Sequence, residues 1–286
     1  MTPTAAPPSR LRRVRRFVLR RVVHYGLVYV AVVLVFMSLE TFLVFHPSSA
    51  KAAWMEPADP RTQDVWLASA DGTRLHAWWL PPERAEAGAV LVAHGNGGNL
   101  SHRGRLAADL RRRLGTGVLI VDYPGYGKSD GTPTEQGCYD AGEAAYAWLT
   151  TDAGIPPNRV VLLGKSLGGG VAVELAARHD HRALVLVFTF TTLPAAAKYH
   201  YPWLPTHTLM RTRFDNLAKI SRCPRPVFVV HGTADKTVPF AQGEQLFAAA
   251  NEPKAFLRME GYGHDVFSFG DPFYDELARF LAANAP

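Results

Sequence analysis

A chain of 286 residues accommodates one large α/β domain or two small ones, and 48% hydrophobic with 20% charged side chains is ordinary for a packed fold. The net charge of +6 is local: Arg10, Arg12, Arg13, Arg15, Arg16, Arg20 and Arg21 fall in the first 21 residues, which hold no acid, leaving 24 basic against 25 acidic side chains elsewhere. The near-neutral body carries no footprint for nucleic acid, and the two cysteines, Cys138 and Cys223, are too few for a disulfide scaffold and lack metal-ligand spacing.

From Val22 to Phe45 the sequence is apolar over 24 positions, broken only by His24, Tyr25, Gly26, Ser38, Glu40 and Thr41. At about 1.5 Å per helical residue this matches a hydrocarbon core of ~30 Å, and His46-Pro47 is expected to end it. An uncleaved single-pass anchor fits the length. Rival readings are a signal peptide cleaved near Ala50-Lys51-Ala52, an export signal built on Arg15-Arg16, and a buried or interfacial helix. The arginine cluster predicts a cytoplasmic N-terminus with the body on the opposite, exoplasmic or periplasmic side, bound to membrane lipid through the helix; cleavage would instead release a secreted body. The expected organisation is residues 1–21 as a basic N-terminus, 22–45 as the transmembrane anchor, 46–60 as a linker containing Pro57 and Pro60, and 61–286 as the catalytic domain.

In the body, strands are expected at Asp64–Ala68, Leu75–Leu80, Ala89–Ala93, Gly117–Asp122, Val160–Gly164, Leu184–Phe188, Val227–His231 and Phe256–Glu260. Asp71-Gly72 is a hairpin signal between the first two. The later strands are almost continuously apolar, as parallel strands covered on both faces are. Helical patterns fall at Ser101–Leu114, Glu135–Thr151, Leu167–His179, Phe240–Ala250 and Asp271–Ala283. Such alternation predicts an α/β fold with one doubly wound, mostly parallel, eight-stranded sheet.

The chemistry-bearing motifs sit where these strands end. Gly164-Lys165-Ser166-Leu167-Gly168-Gly169 follows a strand and opens a helix, the setting of a nucleophile on a sharp turn that needs small neighbours. Both Gly127-Lys128-Ser129 and Gly164-Lys165-Ser166 imitate the end of a phosphate-binding loop, but Asp122 and Arg159 stand where its first glycine belongs, so no nucleotide is expected. A serine hydroxyl needs a base and an orienting acid. His264, in Gly261-Tyr262-Gly263-His264, follows the last strand, and Asp235, in Gly232-Thr233-Ala234-Asp235, follows the strand before it, where sites form in parallel sheets. Asp265 is the rival acid, though adjacency to His264 makes a side-chain contact awkward. His94-Gly95-Asn96-Gly97-Gly98-Asn99 lets the backbone approach a reacting carbonyl, so the N–H groups of Asn96 and Leu167 are the expected oxyanion hole. His94 is read as holding this loop by hydrogen bonding. Asp122-Tyr123-Pro124-Gly125-Tyr126-Gly127-Lys128-Ser129 is read as a scaffolding turn that also offers a pocket wall.

Together the His-Gly-Asn-x-Gly-Asn loop, Asp-Tyr-x-Gly-Tyr-Gly-Lys-Ser and Gly-x-Ser-Leu-Gly-Gly resemble the α/β-hydrolase superfamily. The resemblance runs from about Asp64 to Phe280, through Phe214-Asp215-Asn216, and points to small, lid-poor, membrane-anchored serine hydrolases. That branch includes protein depalmitoylases and lysophospholipases and is similar to the serine aminopeptidase-type hydrolase domain. It implies the α/β-hydrolase fold and hydrolysis of acyl esters or thioesters by Ser166, Asp235 and His264, without metal or cofactor. The 38 residues from Thr189 to Pro226 leave room for one helix and a short cover, whose Tyr199, Tyr201, Trp203 and Leu204 are candidates for an acyl-chain pocket. An aminopeptidase-type serine peptidase and a catalytically dead binding protein are the alternatives. Serine at position 166 disfavours haloalkane and epoxide chemistry, which would want aspartate there.

Overall fold

A computed structural model of the chain describes residues 10–264 and 270–285. The chain divides into two compact units, Met1–Glu40 and Thr41–Pro286. In the first, helix α1 (Arg10–Ser38) spans 29 residues, about 44 Å at the helical rise, and is long and apolar enough to cross a membrane. It starts twelve residues before Val22 and ends at Ser38, whose hydroxyl bonds back to the Leu34 carbonyl at 2.8 Å. The helix thus covers residues 22–38 of the segment 22–45 expected as the anchor and extends N-terminally through the arginine cluster. The short helix α2 (Glu40–Val44) follows, and Val44 and Phe45 are 9% and 2% exposed in the core of the second unit. An apolar run alone cannot distinguish side chains that face lipid from those that fill a protein core.

The second unit is built on an eight-stranded sheet: β2 (Gln63–Ala68), β3 (Arg74–Leu80), β4 (Ala89–Ala93), β6 (Gly117–Val121), β7 (Val160–Lys165), β8 (Ala183–Val187), β9 (Val227–Gly232) and β10 (Lys254–Met259), ordered β10-β9-β8-β7-β4-β6-β3-β2. Pairing is parallel from β10 to β6 and antiparallel at β6–β3 and β3–β2. Successive side chains alternate between two cores. Leu91, Leu119 and Leu162 face α4 (Glu135–Thr151) and α5 (Gly168–Arg178), while Val90, Val92, Ile120 and Leu163 face α3 (Gly104–Leu114) and α10 (Asp271–Ala283). Each such fully buried aliphatic side chain contributes roughly 1.5–3 kcal/mol, which explains why these strands read as unbroken apolar runs.

Two expectations change. The stretch from Thr189 to Pro226 holds three short helices rather than one: α6 (Leu193–His200), α7 (Thr206–Leu209) and α8 (Asn216–Ile220). Residues 46–60 are not a free linker, because β1 (His46–Pro47) pairs in parallel with β5 (Gly97–Gly98), and Ser49 bridges to Gly127. Pro47 reads as a terminator in sequence, yet the neighbouring His46 and Ser48 supply the N–H groups this short ladder uses. The last helix before β10, α9 (Phe240–Ala249), matches the expected pattern to within one residue.

Candidate active site

Ser166 occupies the turn between β7 and α5 with φ of 52°, in the left-handed region that costs a non-glycine residue on the order of 1–3 kcal/mol. The surroundings impose this conformation. The Ser166 N–H donates to the Val187 carbonyl (2.9 Å), and the Thr189 hydroxyl donates to the Ser166 carbonyl (2.6 Å). A Cβ at position 164 would collide with the Gly168 carbonyl, one at 168 with the Ala93 carbonyl, and one at 169 with the Thr189 side chain. The glycine spacing around the serine is thus a packing requirement of the sharp turn.

The loops after β9 and β10 bring Asp235 and His264 to this serine. They are stitched together by Thr233 N–H to the Met259 carbonyl (3.0 Å) and Ala234 N–H to the Tyr262 carbonyl (3.0 Å). A side chain at Gly232 would strike the Tyr262 backbone. Ser166 Oγ lies 2.9 Å from His264 Nε2, and His264 Nδ1 lies 2.8 Å from Asp235 Oδ2. An ionised carboxylate only accepts hydrogen bonds, so Nδ1 carries the proton and Nε2 presents its lone pair to the serine hydroxyl. Asp265 lies outside the described residues.

Asp235 has no exposed side-chain surface. Burial by itself raises its pKa, but hydrogen bonds from His231 and His264, the charge interaction with His264 and the Val238 amide outweigh it and hold the carboxyl far below its ordinary value. Its other oxygen accepts from the Thr237 and Val238 amides, both at 2.8 Å. His231 is a neighbour that sequence reasoning treated only as a strand end. It is fully buried, its Nε2 donating to the Val238 carbonyl (2.9 Å) with Asp235 Oδ2 3.4 Å away. A histidine closing an apolar strand four residues before the acid was the available signal.

The loop after β4 is braced from several sides. Gly95 stands 3.5 Å from the Ser166 Cβ, measured from where its own Cβ would lie. His94 Nδ1 donates to the Gly95 carbonyl (2.7 Å), and its Nε2 is 3.3 Å from Asp122 Oδ1, with both side chains fully buried. Asp122 Oδ1 accepts from the Leu100 amide (2.7 Å). The Tyr123 and Tyr126 hydroxyls donate to the His94 and Asn96 carbonyls, each at 2.8 Å. Burial raises both phenol pKa values, keeping these hydroxyls protonated donors. Among the described residues, the Asn96 and Leu167 amides donate to no other group.

The cover segment divides. Tyr199, Tyr201 and Trp203 are 55%, 40% and 49% exposed, whereas Leu204 is buried and acts as packing. His200 Nε2 donates to the Thr237 carbonyl (2.8 Å), tying α6 to the loop that carries Asp235. Among the described residues there is no group of three or more histidine, cysteine or carboxylate side chains able to hold a metal. Cys138 and Cys223 are free and buried, and burial pushes the Cys223 thiol up to about 12.

A family model described as alpha/beta hydrolase fold matches residues 88–206. An uncharacterized protein of Mycobacterium tuberculosis is 37% identical over 263 residues, covering 91% of this chain and 93% of that protein. Human alpha/beta hydrolase domain-containing protein 17B is 33% identical over 193 residues, 68% of this chain and 66% of that one. Among solved structures, the Pyrococcus furiosus esterase Pf2001 superposes with a TM-score of 0.68 at 17% identity, covering 83% of this chain and 98% of that one. With its sheet order, its strand-to-helix serine turn and relatives that match nearly its whole length, the chain belongs to the α/β-hydrolase family.

Proposed function

We propose that the protein is a membrane-anchored serine hydrolase that cleaves carboxylic esters or thioesters carrying an acyl chain. The observation that carries this reading is the hydrogen-bonded line from Ser166 Oγ through His264 to Asp235, at 2.9 and 2.8 Å, set on a left-handed turn. His264 Nε2 takes the hydroxyl proton as Oγ attacks the carbonyl carbon, and the carbonyl π pair moves onto oxygen. The Asn96 and Leu167 amides receive that oxyanion. Collapse expels the alcohol or thiol, which collects the proton from the imidazolium and leaves an acyl-Ser166 ester. Water, deprotonated by His264, repeats the sequence and releases the acid. Asp235 stays ionised throughout, fixing the tautomer and stabilising the imidazolium.

The acyl-chain preference draws on the resemblance to anchored depalmitoylases and lysophospholipases and on the exposed aromatic side chains Tyr199, Tyr201 and Trp203. Human alpha/beta hydrolase domain-containing protein 17B agrees with that branch, and the P. furiosus neighbour is named an esterase. The seven arginines at the start of α1 support a reading with the N-terminus in the cytoplasm and the catalytic unit on the opposite side of the membrane. A panel of p-nitrophenyl esters and acyl thioesters of rising chain length tests the reading. Turnover is expected on esters and thioesters, and Ser166→Ala is expected to lower kcat by 10³-fold or more. Equal turnover by Ser166→Ala, or cleavage of aminoacyl amides alone, would contradict it.

A further inference from the structure

The residues just after α2 are built into the loop proposed to hold the oxyanion. Phe45 is seated in the core, edge-on to Phe214 with ring centroids 6.5 Å apart. From that fixed point the chain runs along the loop. His46 N–H donates to the Asn96 carbonyl (3.2 Å) and Ser48 N–H to the Gly98 carbonyl (3.0 Å). The Asn96 side-chain amide donates to the Val44 carbonyl (2.9 Å) and to His46 Nδ1 (3.2 Å). Asn99 reaches across to the Ser48 carbonyl (3.0 Å) and the Ala53 carbonyl (2.8 Å). On its other edge the segment bonds to the scaffolding turn, with Gly127 N–H donating to Ser48 (3.0 Å) and Ala50 N–H to Gly127 (2.8 Å).

The loop between β4 and α3 contains Gly95, Gly97 and Gly98, and glycine backbones lose the most conformational freedom on ordering. Asn96, between those glycines, has its carbonyl and its side-chain amide engaged by residues 44–46, as well as by Tyr126. Among the described residues, its backbone N–H donates to no other group. An oxyanion donor acts only when it is already aimed, and small misplacement is costly in rate.

We propose that Val44–Ala53 is a strap that positions the oxyanion loop, so that the chain emerging from the membrane-length helix sets the turnover of the site. The proposal rests on the triad reading given above. Its residues are positioning residues: they touch the loop, not the reacting atoms. Only residues 39–43 separate the strap from the end of α1.

The test uses the full-length protein in detergent micelles and a short soluble p-nitrophenyl ester. kcat is expressed per active serine titrated with a fluorophosphonate, so unfolded molecules drop out. His46→Pro removes the N–H that bonds Asn96 and is expected to lower kcat by about 10- to 100-fold with KM within about threefold. Affinity for a trifluoromethyl ketone, whose adduct mimics the tetrahedral oxyanion, should fall by a similar factor. His46→Ala, which keeps the backbone and loses Nδ1, should lower both about threefold. Glu56→Ala, exposed and beyond the strap, should change neither. If His46→Pro fails to fold by circular dichroism, His46→Ala decides alone. Unchanged kcat and ketone affinity in the folded His46 variants overturn the strap. Ser166→Ala is run alongside: its loss of turnover with normal His46 variants overturns the strap and leaves the triad, whereas turnover surviving in Ser166→Ala overturns both.

Discussion

Two histidine–aspartate couples stand at the C-terminal end of the sheet and put the same ring to opposite uses. In the first, Asp235 accepts a hydrogen bond from Nδ1 of His264, and Nε2 is left as an acceptor 2.9 Å from the Ser166 hydroxyl. The second couple has the opposite sense: the Nδ1 proton of His94 goes to the Gly95 carbonyl while Asp122 lies 3.3 Å from Nε2. His264 keeps 11% of its side-chain surface exposed, and His94 keeps none. What each ring faces separates a proposed base from a brace, and residue type alone carries no such distinction.

The largest expected effect comes from breaking the first couple. Asp235→Asn should lower kcat by roughly 10³–10⁴-fold, as in the serine protease example from which that magnitude is taken. Asp265→Asn should cost about tenfold or less, and a reversed order in steady-state assays would reassign the acid. The same substitution has a pH signature. Because the folded pKa of Asp235 is depressed below the ordinary ~3.9, its ionisation adds stability that is fully present above about pH 4. That contribution is lost as pH falls through the lower folded value. Thermal unfolding between pH 5 and 2 should therefore steepen on the acid side in the wild-type protein and flatten in Asp235→Asn.

Breaking the second couple should act on shape first. His94→Ala leaves Asp122 buried without its neighbour and the Gly95 carbonyl without its donor, so a stability loss of about 2–4 kcal/mol is expected. A kcat reduced about 10- to 100-fold should accompany it, read by denaturant titration and ester assay. Tyr126→Phe is the mildest variant. It removes one donor from an Asn96 carbonyl that still accepts from His46, and should cost about 1 kcal/mol and a few-fold in kcat.

Legibility in the sequence follows the same division. The sheet could be read from its apolar strands, and the serine turn from glycines that the close packing at positions 164, 168 and 169 explains. Asp235 and His264 stood out because each follows a late strand. The hydrogen bonds that brace the loop were not legible, since they join residues far apart in the chain: Val44 and His46 with Asn96, Ser48 with Gly98 and Asn99, Asp122 with Leu100. Phe45 shows why an apolar run does not reveal its own end, because its side chain would suit lipid as well as it suits the core beside Phe214. His231 was hidden for a related reason. Its role depends on a bond to Val238 across a turn, and spacing does not report which way a buried ring points.

The most direct test of the nucleophile is the site of covalent modification. After reaction of the full-length protein with a fluorophosphonate, peptide mass spectrometry should find a single adduct, on Ser166. Asp235→Asn should acquire that adduct far more slowly, while Ser166→Ala should acquire none. An adduct on another serine, or equal labelling of Ser166→Ala, would contradict the assignment of Ser166 and His264 as nucleophile and base.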